Sequence, residues 1–142
     1  MKKLFYVLGL LILLTGCSSN LEINSNKKEK VINMIKIVID NTEYNLNLED
    51  NDTVKEFLNL LPQEFNMKEL NGNEKYIYLD KSLPSNPSNP RQINAGDVML
   101  YGDNCLVVFY KSFTTSYSYT KIGHISNLPD LGNNDILVKF IR

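Results

Sequence analysis

The sequence predicts a mostly-β domain, a barrel or sandwich with a single helix as its plug. Three observations carry that expectation. About eight short stretches alternate apolar and polar residues with the period of two of a strand facing a core on one side. Only residues 52–61 repeat their apolar residues at helical spacing. Strands and helices do not alternate along the chain, which excludes a parallel βαβ architecture.

Ile35-Lys-Ile-Val-Ile39 alternates and is rich in β-branched residues, so it reads as the first strand. Asp40-Asn41 turns the chain. Tyr44, Leu46 and Leu48 then alternate with Asn45, Asn47 and Glu49, and the two segments form an opening hairpin. In DTVKEFLNLL (52–61), Val54, Phe57, Leu58 and Leu61 share one face and read as a core plug. Asp52 or Thr53 is placed to cap this helix, Thr53-x-x-Glu56 fits a capping box, and Pro62 ends it. Phe65 to Leu70 is a short strand, Asn71-Gly72 a turn, and Glu74 to Leu79 alternates again. Lys75 beside Glu74, and Lys111, read as solvated faces. Residues 82–96 contain Pro84, Pro87 and Pro90; proline has no N–H to donate, so this is a long loop and no central strand. Asp97 to Tyr101 and Cys105 to Tyr110 are strands joined by Gly102-Asp103-Asn104. Residues 112–120 are hydroxyl-rich. Lys121 to Ser126 and Ile136 to Ile141 complete the set, and Leu128 to Gly132 between them allows one helical turn at most.

Composition bounds the function. The 142 residues are 43% apolar and 22% charged, ordinary values for one globular domain. A net charge of −1 gives no whole-chain basic field, so nucleic acid is not an expected partner. Two cysteines and one histidine cannot supply the roughly four ligands of a Cys/His zinc site. No phosphate-cradling glycine loop, Ser/His/Asp signature or informatively spaced carboxylate pair is present, and neither a cofactor nor a metal is expected.

The amino-terminal segment is an address. Lys2 and Lys3 precede an apolar run from Leu4 to Leu14, which has the length of a signal-peptide core and falls short of the ~20 residues of a spanning helix. Leu14-Thr15-Gly16-Cys17 follows directly and resembles the lipobox of bacterial lipoproteins. The resemblance implies a diacylglycerol thioether on Cys17, cleavage before Cys17 and acylation of the new amino terminus. Residues 1–16 are then a lipoprotein signal peptide. Residues 17–33 are the lipidated cysteine and a polar tether, and 34–142 are the folded domain. The expected partner is a membrane, held through the Cys17 lipid, with the domain facing away from the cytoplasm. Each buried methylene contributes about 0.8 kcal/mol, and two or three chains together hold a protein firmly. With Cys17 acylated, Cys105 has no disulfide partner. Its apolar run, Cys105-Leu-Val-Val-Phe-Tyr110, marks a buried structural cysteine.

The order of segments resembles the bacterial cyclophilin-like domain family from about Met34 to Arg142. Four pieces carry the resemblance: the opening hairpin with the helix ending in Leu60-Leu61-Pro62; Met67-Lys-Glu-Leu-Asn-Gly-Asn-Glu-Lys-Tyr76; Ile93-Asn-Ala-Gly-Asp97 with Val98-Met-Leu-Tyr-Gly102; and Cys105 to Tyr110 with Ser116-Tyr-Ser-Tyr-Thr120 and Ile122-Gly-His-Ile125. It implies a closed eight-stranded cyclophilin-like β-barrel plugged by the 52–61 helix. Cyclophilins that isomerise Xaa-Pro bonds carry Phe-His-Arg followed by Gln-Gly-Gly-Asp. Gly96-Asp97 matches the end of that pattern, the arginine's place falls on Asn86 and the glutamine's on Asn94, and Phe-His-Arg is absent. No catalytic residue is therefore assigned.

The expected role is a non-catalytic module that binds a peptide or small ligand. The alternative is a peptidyl-prolyl isomerase acting on exported proteins, in which Arg91 would serve the prolyl carbonyl. Tyr76, Tyr78, Tyr101, Tyr110, Tyr117 and Tyr119 lie on or near strands, and tyrosine offers an apolar face with a polar tip. Tyr117 and Tyr119 share a face by period two and, with Arg91, are the candidate ligand-binding residues. His124 has no carboxylate that sequence alone would place beside it, and reads as a structural or surface histidine.

Overall fold

The computed structural model describes residues 30–142. The signal peptide, Cys17 and most of the tether lie outside the described residues.

Eight antiparallel strands close a barrel. In chain order its strands are β1 (Met34–Ile39), β2 (Thr42–Leu48), β3 (Gln63–Leu70), β4 (Glu74–Tyr78), β6 (Asp97–Tyr101), β7 (Cys105–Phe109), β9 (Thr120–Ile125) and β10 (Ile136–Ile141). Around the barrel the order is β1-β10-β3-β4-β7-β6-β9-β2, with β2 returning to β1. Two short strands, β5 (Gln92–Ile93) and β8 (Phe113–Thr114), pair outside the barrel. Among the described residues there is one helix, α1, which spans Asp52–Leu60.

The barrel interior is filled by the inward residues of every strand, among them Ile37, Leu46, Met67, Leu100, Leu106, Ile122 and Phe140, all fully buried. Helix α1 adds Val54, Phe57 and Leu58 to the same cluster. The Phe57 ring meets Phe140 edge to face, centroids 5.3 Å apart. The expected plug is thus present.

Its cap differs from the expectation. The helix is capped by Asn51, whose side-chain oxygen accepts from the Val54 N–H at 2.9 Å. Thr53 lies inside the first turn, and its hydroxyl donates to the Pro84 carbonyl at 2.5 Å. Asn51 also donates through Nδ2 to the Lys121 carbonyl at 2.8 Å, fastening the helix start to β9. Asn51→Ala removes both bonds and is expected to cost about 1–2 kcal/mol, read as a lower thermal midpoint.

Lys75 corrects a second expectation. Its side chain is fully buried, where a solvated face was anticipated. Strand β4 puts it on the inward face, and its ammonium reaches Glu69 on β3 and the carbonyls of Gly132 (2.5 Å) and Asn134 (2.7 Å). Lys111, by contrast, is exposed and pairs with Asp130 at 3.2 Å.

Candidate functional site

A second apolar cluster lies on the other face of the barrel wall. In β7, Leu106 and Val108 point into the barrel, so Cys105, Val107 and Phe109 point out. Met99 of β6 and Tyr76 of β4 join them on that outer face. Every residue of β7 is buried, which requires a cover on the outside. Two segments provide it. Ile93 of the Pro-rich loop is fully buried there, and Phe113 and Tyr119 pack from residues 113–119.

The Pro-rich loop holds that second segment in place through the backbone groups its prolines leave available. Ser88 and Tyr119 exchange both backbone hydrogen bonds at 3.0 Å. The Arg91 carbonyl accepts from the Thr115 N–H at 2.9 Å, and Asn89 donates from its side chain to the Ser116 carbonyl at 3.1 Å. Arg91 takes a left-handed conformation, φ 63°, with its N–H on the Asn89 side-chain oxygen.

Between this strap and the barrel wall lies a cavity of about 470 Å³, in the range of small-molecule sites. Tyr76, Tyr78, Tyr101, Tyr117 and Tyr119 line it. Strand register builds its floor: Tyr78, Cys105 and Tyr101 are lateral neighbours across β4, β7 and β6. Tyr101 stands between the two strap tyrosines, its ring centroid 6.0 Å from Tyr117 and 5.6 Å from Tyr119. Tyr117 and Tyr119 thus both line the cavity, and the backbone at 115–118 is irregular and not a strand. Tyr119 is buried and Tyr117 is 62% exposed.

Arg91 is exposed and is not among the lining residues. Its backbone carbonyl positions Thr115, which does line the cavity. Asn86 and Asn94, the positions aligned with the isomerase arginine and glutamine, are also exposed and outside the lining. Of the six flagged tyrosines only Tyr110 is absent from it; the Tyr110 side chain points inward and donates to Glu69 at 2.9 Å.

Among the lining residues that the sequence did not single out as ligand-binding are Glu74, Asn73 and Cys105. Glu74 is the sole charged side chain in the lining, half-buried, with no hydrogen-bond partner among the described residues. Burial, reinforced by the Glu69 charge, pushes its carboxyl up to about 7. Asn73 contributes a buried side-chain oxygen without a partner. Cys105 is a free thiol on the floor, and burial, with the Glu74 charge adding to it, pushes it up to about 11, so it stays protonated at neutral pH. One signal for this wall was available: Cys105 to Tyr110 has no polar face, and a strand apolar on both faces needs a cover.

His124 does meet a carboxylate. β6 and β9 pair Asp97 with His124, and His124 Nδ1 lies 2.9 Å from Asp97 Oδ1. Asp97 is buried and also accepts from the Asn94 N–H at 2.9 Å. Sequence separation hid this contact, which only strand register creates. Neither residue lines the cavity. Among the described residues no group of three or more His, Cys, Asp or Glu is placed to hold a metal ion.

The sequence model of the Cyclophilin-like family matches residues 37–140, most of the chain. The chain belongs to the Cyclophilin-like family. The cyclophilin-like domain is similar in fold to the solution structure of a hypothetical protein from Archaeoglobus fulgidus, with a TM-score of 0.53 and 20% identity, over 80% of this chain and 98% of that one. A likeness at this identity concerns the fold alone. A prokaryotic membrane lipoprotein lipid attachment site matches residues 1–18 and contains Cys17. The cyclophilin-like domain is thus part of a membrane-anchored lipoprotein. No curated protein matches the chain.

Proposed function

We propose that this lipoprotein is a ligand-binding module of the cell envelope. A lipid on Cys17 holds it to the membrane, residues 17–33 serve as the tether, and the domain faces away from the cytoplasm. The observation that carries the binding role is the tyrosine-lined cavity beneath the 113–119 strap. It offers apolar faces with hydroxyl tips, the chemistry of a site that takes a small molecule or a short peptide segment. The reading is non-catalytic. Isomerisation of a prolyl bond asks for a cation beside the prolyl carbonyl, whereas the lining includes neither lysine nor arginine.

The experiment is a titration of the protein with a short Ala-Pro peptide, followed by amide NMR and by magnetisation exchange between cis and trans peptide signals. Shifts of amides around the cavity without faster exchange support a binding module. Exchange accelerated by the protein supports the isomerase instead, and Arg91→Ala then tests its cation. For the site, Tyr117→Ala with Tyr119→Ala is expected to weaken binding at least tenfold, because each ring removed takes one wall contact. Unchanged affinity in that double variant removes the strap from the site.

A further inference from the structure

The sole charged side chain of the cavity wall is an acceptor. The Glu74 carboxylate is half-buried there, with no donor among the described residues. No positive side chain lines the cavity to answer that charge. The rings of Tyr76, Tyr78, Tyr101, Tyr117 and Tyr119 line the same cavity. The face of a tyrosine ring is negative and attracts a cation held over it. A carboxylate without a donor and aromatic walls in one pocket complement a cation.

We infer that the cavity takes a small alkylammonium ligand, its cationic nitrogen directed at Glu74 and its carbon shell against tyrosine rings of the lining. This rests on the binding role proposed above and deepens it by naming the ligand's chemistry. It also accounts for the state of Glu74. Ionising that carboxyl in the empty cavity leaves a desolvated charge beside Glu69, which is why its proton is held up to about 7. A bound cation removes that penalty, so binding is coupled to loss of the proton. Affinity therefore rises as pH rises from 6 to 8. The other groups facing Glu74 do not supply this dependence. Cys105 and Tyr110 are pushed up to about 11 and about 12 and remain neutral. Tyr119 is raised as well. Glu69 pairs with buried Lys75 and accepts from the Gly72 N–H and the Tyr110 hydroxyl.

The test uses the full chain in maltoside micelles, with empty micelles as the blank. The probes are choline and its uncharged isostere 3,3-dimethylbutan-1-ol, read by saturation-transfer NMR and by titration. Choline is expected to bind at least about tenfold more tightly than the alcohol at pH 8, and to lose most of that preference at pH 6. Glu74→Gln keeps the shape and is expected to abolish both the preference and its pH dependence. Its thermal midpoint at pH 8 should not fall, which separates a binding role from a structural one. Equal binding of the two probes overturns the ammonium assignment while leaving a binding site. The same follows if a lysine-containing peptide or the Ala-Pro peptide binds and choline does not. If choline, the alcohol and both peptides all fail to bind, the inference and the binding role fall together.

Discussion

Lys75→Ala is expected to destabilise the domain by about 3–5 kcal/mol, the range for breaking a buried ion pair from one side. The ammonium is fully buried and has a separate partner for each of its three protons: the Glu69 carboxylate, the Gly132 carbonyl and the Asn134 carbonyl. It also lies 4.8 Å from the centroid of the Tyr110 ring. These contacts tie the connection between β9 and β10 to the β3–β4 hairpin. Alanine removes the charge and leaves Glu69, which is only 15% exposed, with the Gly72 N–H and the Tyr110 hydroxyl as its remaining donors. Two backbone carbonyls lose their donors at the same time. Denaturant unfolding measures the loss as a lower midpoint. The double variant Lys75→Met with Glu69→Gln removes the orphaned charge and should recover part of it, so the two single effects do not add. Lys36→Ala, at the exposed Lys36–Glu43 pair, serves as the control and should leave the midpoint nearly unchanged. A Lys75→Ala midpoint equal to wild type would show that the buried pair contributes nothing to stability.

Gly96→Ala is expected to cost more than about 4 kcal/mol, beyond what most single substitutions do. Gly96 has φ 99°, where a side chain is strained whatever the space. The space is absent as well. A Cβ there would overlap the Ile125 carbonyl oxygen and come within 3.1 Å of His124 Cε1. The same backbone unit donates to the Phe109 carbonyl at 2.7 Å and accepts from the Ile125 N–H at 2.8 Å. It thus fixes the start of β6 between β7 and β9. Moving it separates Asp97 from His124 and pulls at Phe109 under the strap. Gly102→Ala makes the comparison: its φ is 62° but nothing lies within 4 Å of the added carbon, so its cost is that of the left-handed conformation, about 1–2 kcal/mol. Amide spectra should show the Gly96→Ala disturbance running along β6 and β9. A Gly96→Ala domain as stable as Gly102→Ala would mean that the corner yields easily.

Much of the fold was legible, and the reason is local. Strand alternation and helical spacing are set by neighbours a few residues apart. The stretches read as β1, β2, β6, β7, β9 and β10 accordingly fall within a residue or two of those formed. The helix cap was misplaced by one or two residues because Asn51, Asp52 and Thr53 all suit a cap. The choice depends on which side chain is drawn elsewhere, and Thr53 is drawn to Pro84. The tyrosines of the site were legible by type. Which of them face one another was not, since Tyr101 meets Tyr117 and Tyr119 only through the strap. Arg91 stood out as one of two arginines, yet the contact of Arg91 with the strap is made by its carbonyl, a group every residue has.

The sequence by itself determined the lipid attachment site, the mostly-β class, the single helix and the family, because each is written in short contiguous patterns. Tertiary structure alone decided which charges are buried and what they face. Lys75 and Glu74 are adjacent in the chain, but alternation sends one into the barrel and the other to the outer wall. There Lys75 finds Gly132 and Asn134, more than fifty residues away, while Glu74 joins a cavity closed by the strap at 113–119. Burial and electrostatic partnership are properties of contacts made across the barrel. No local pattern encodes them.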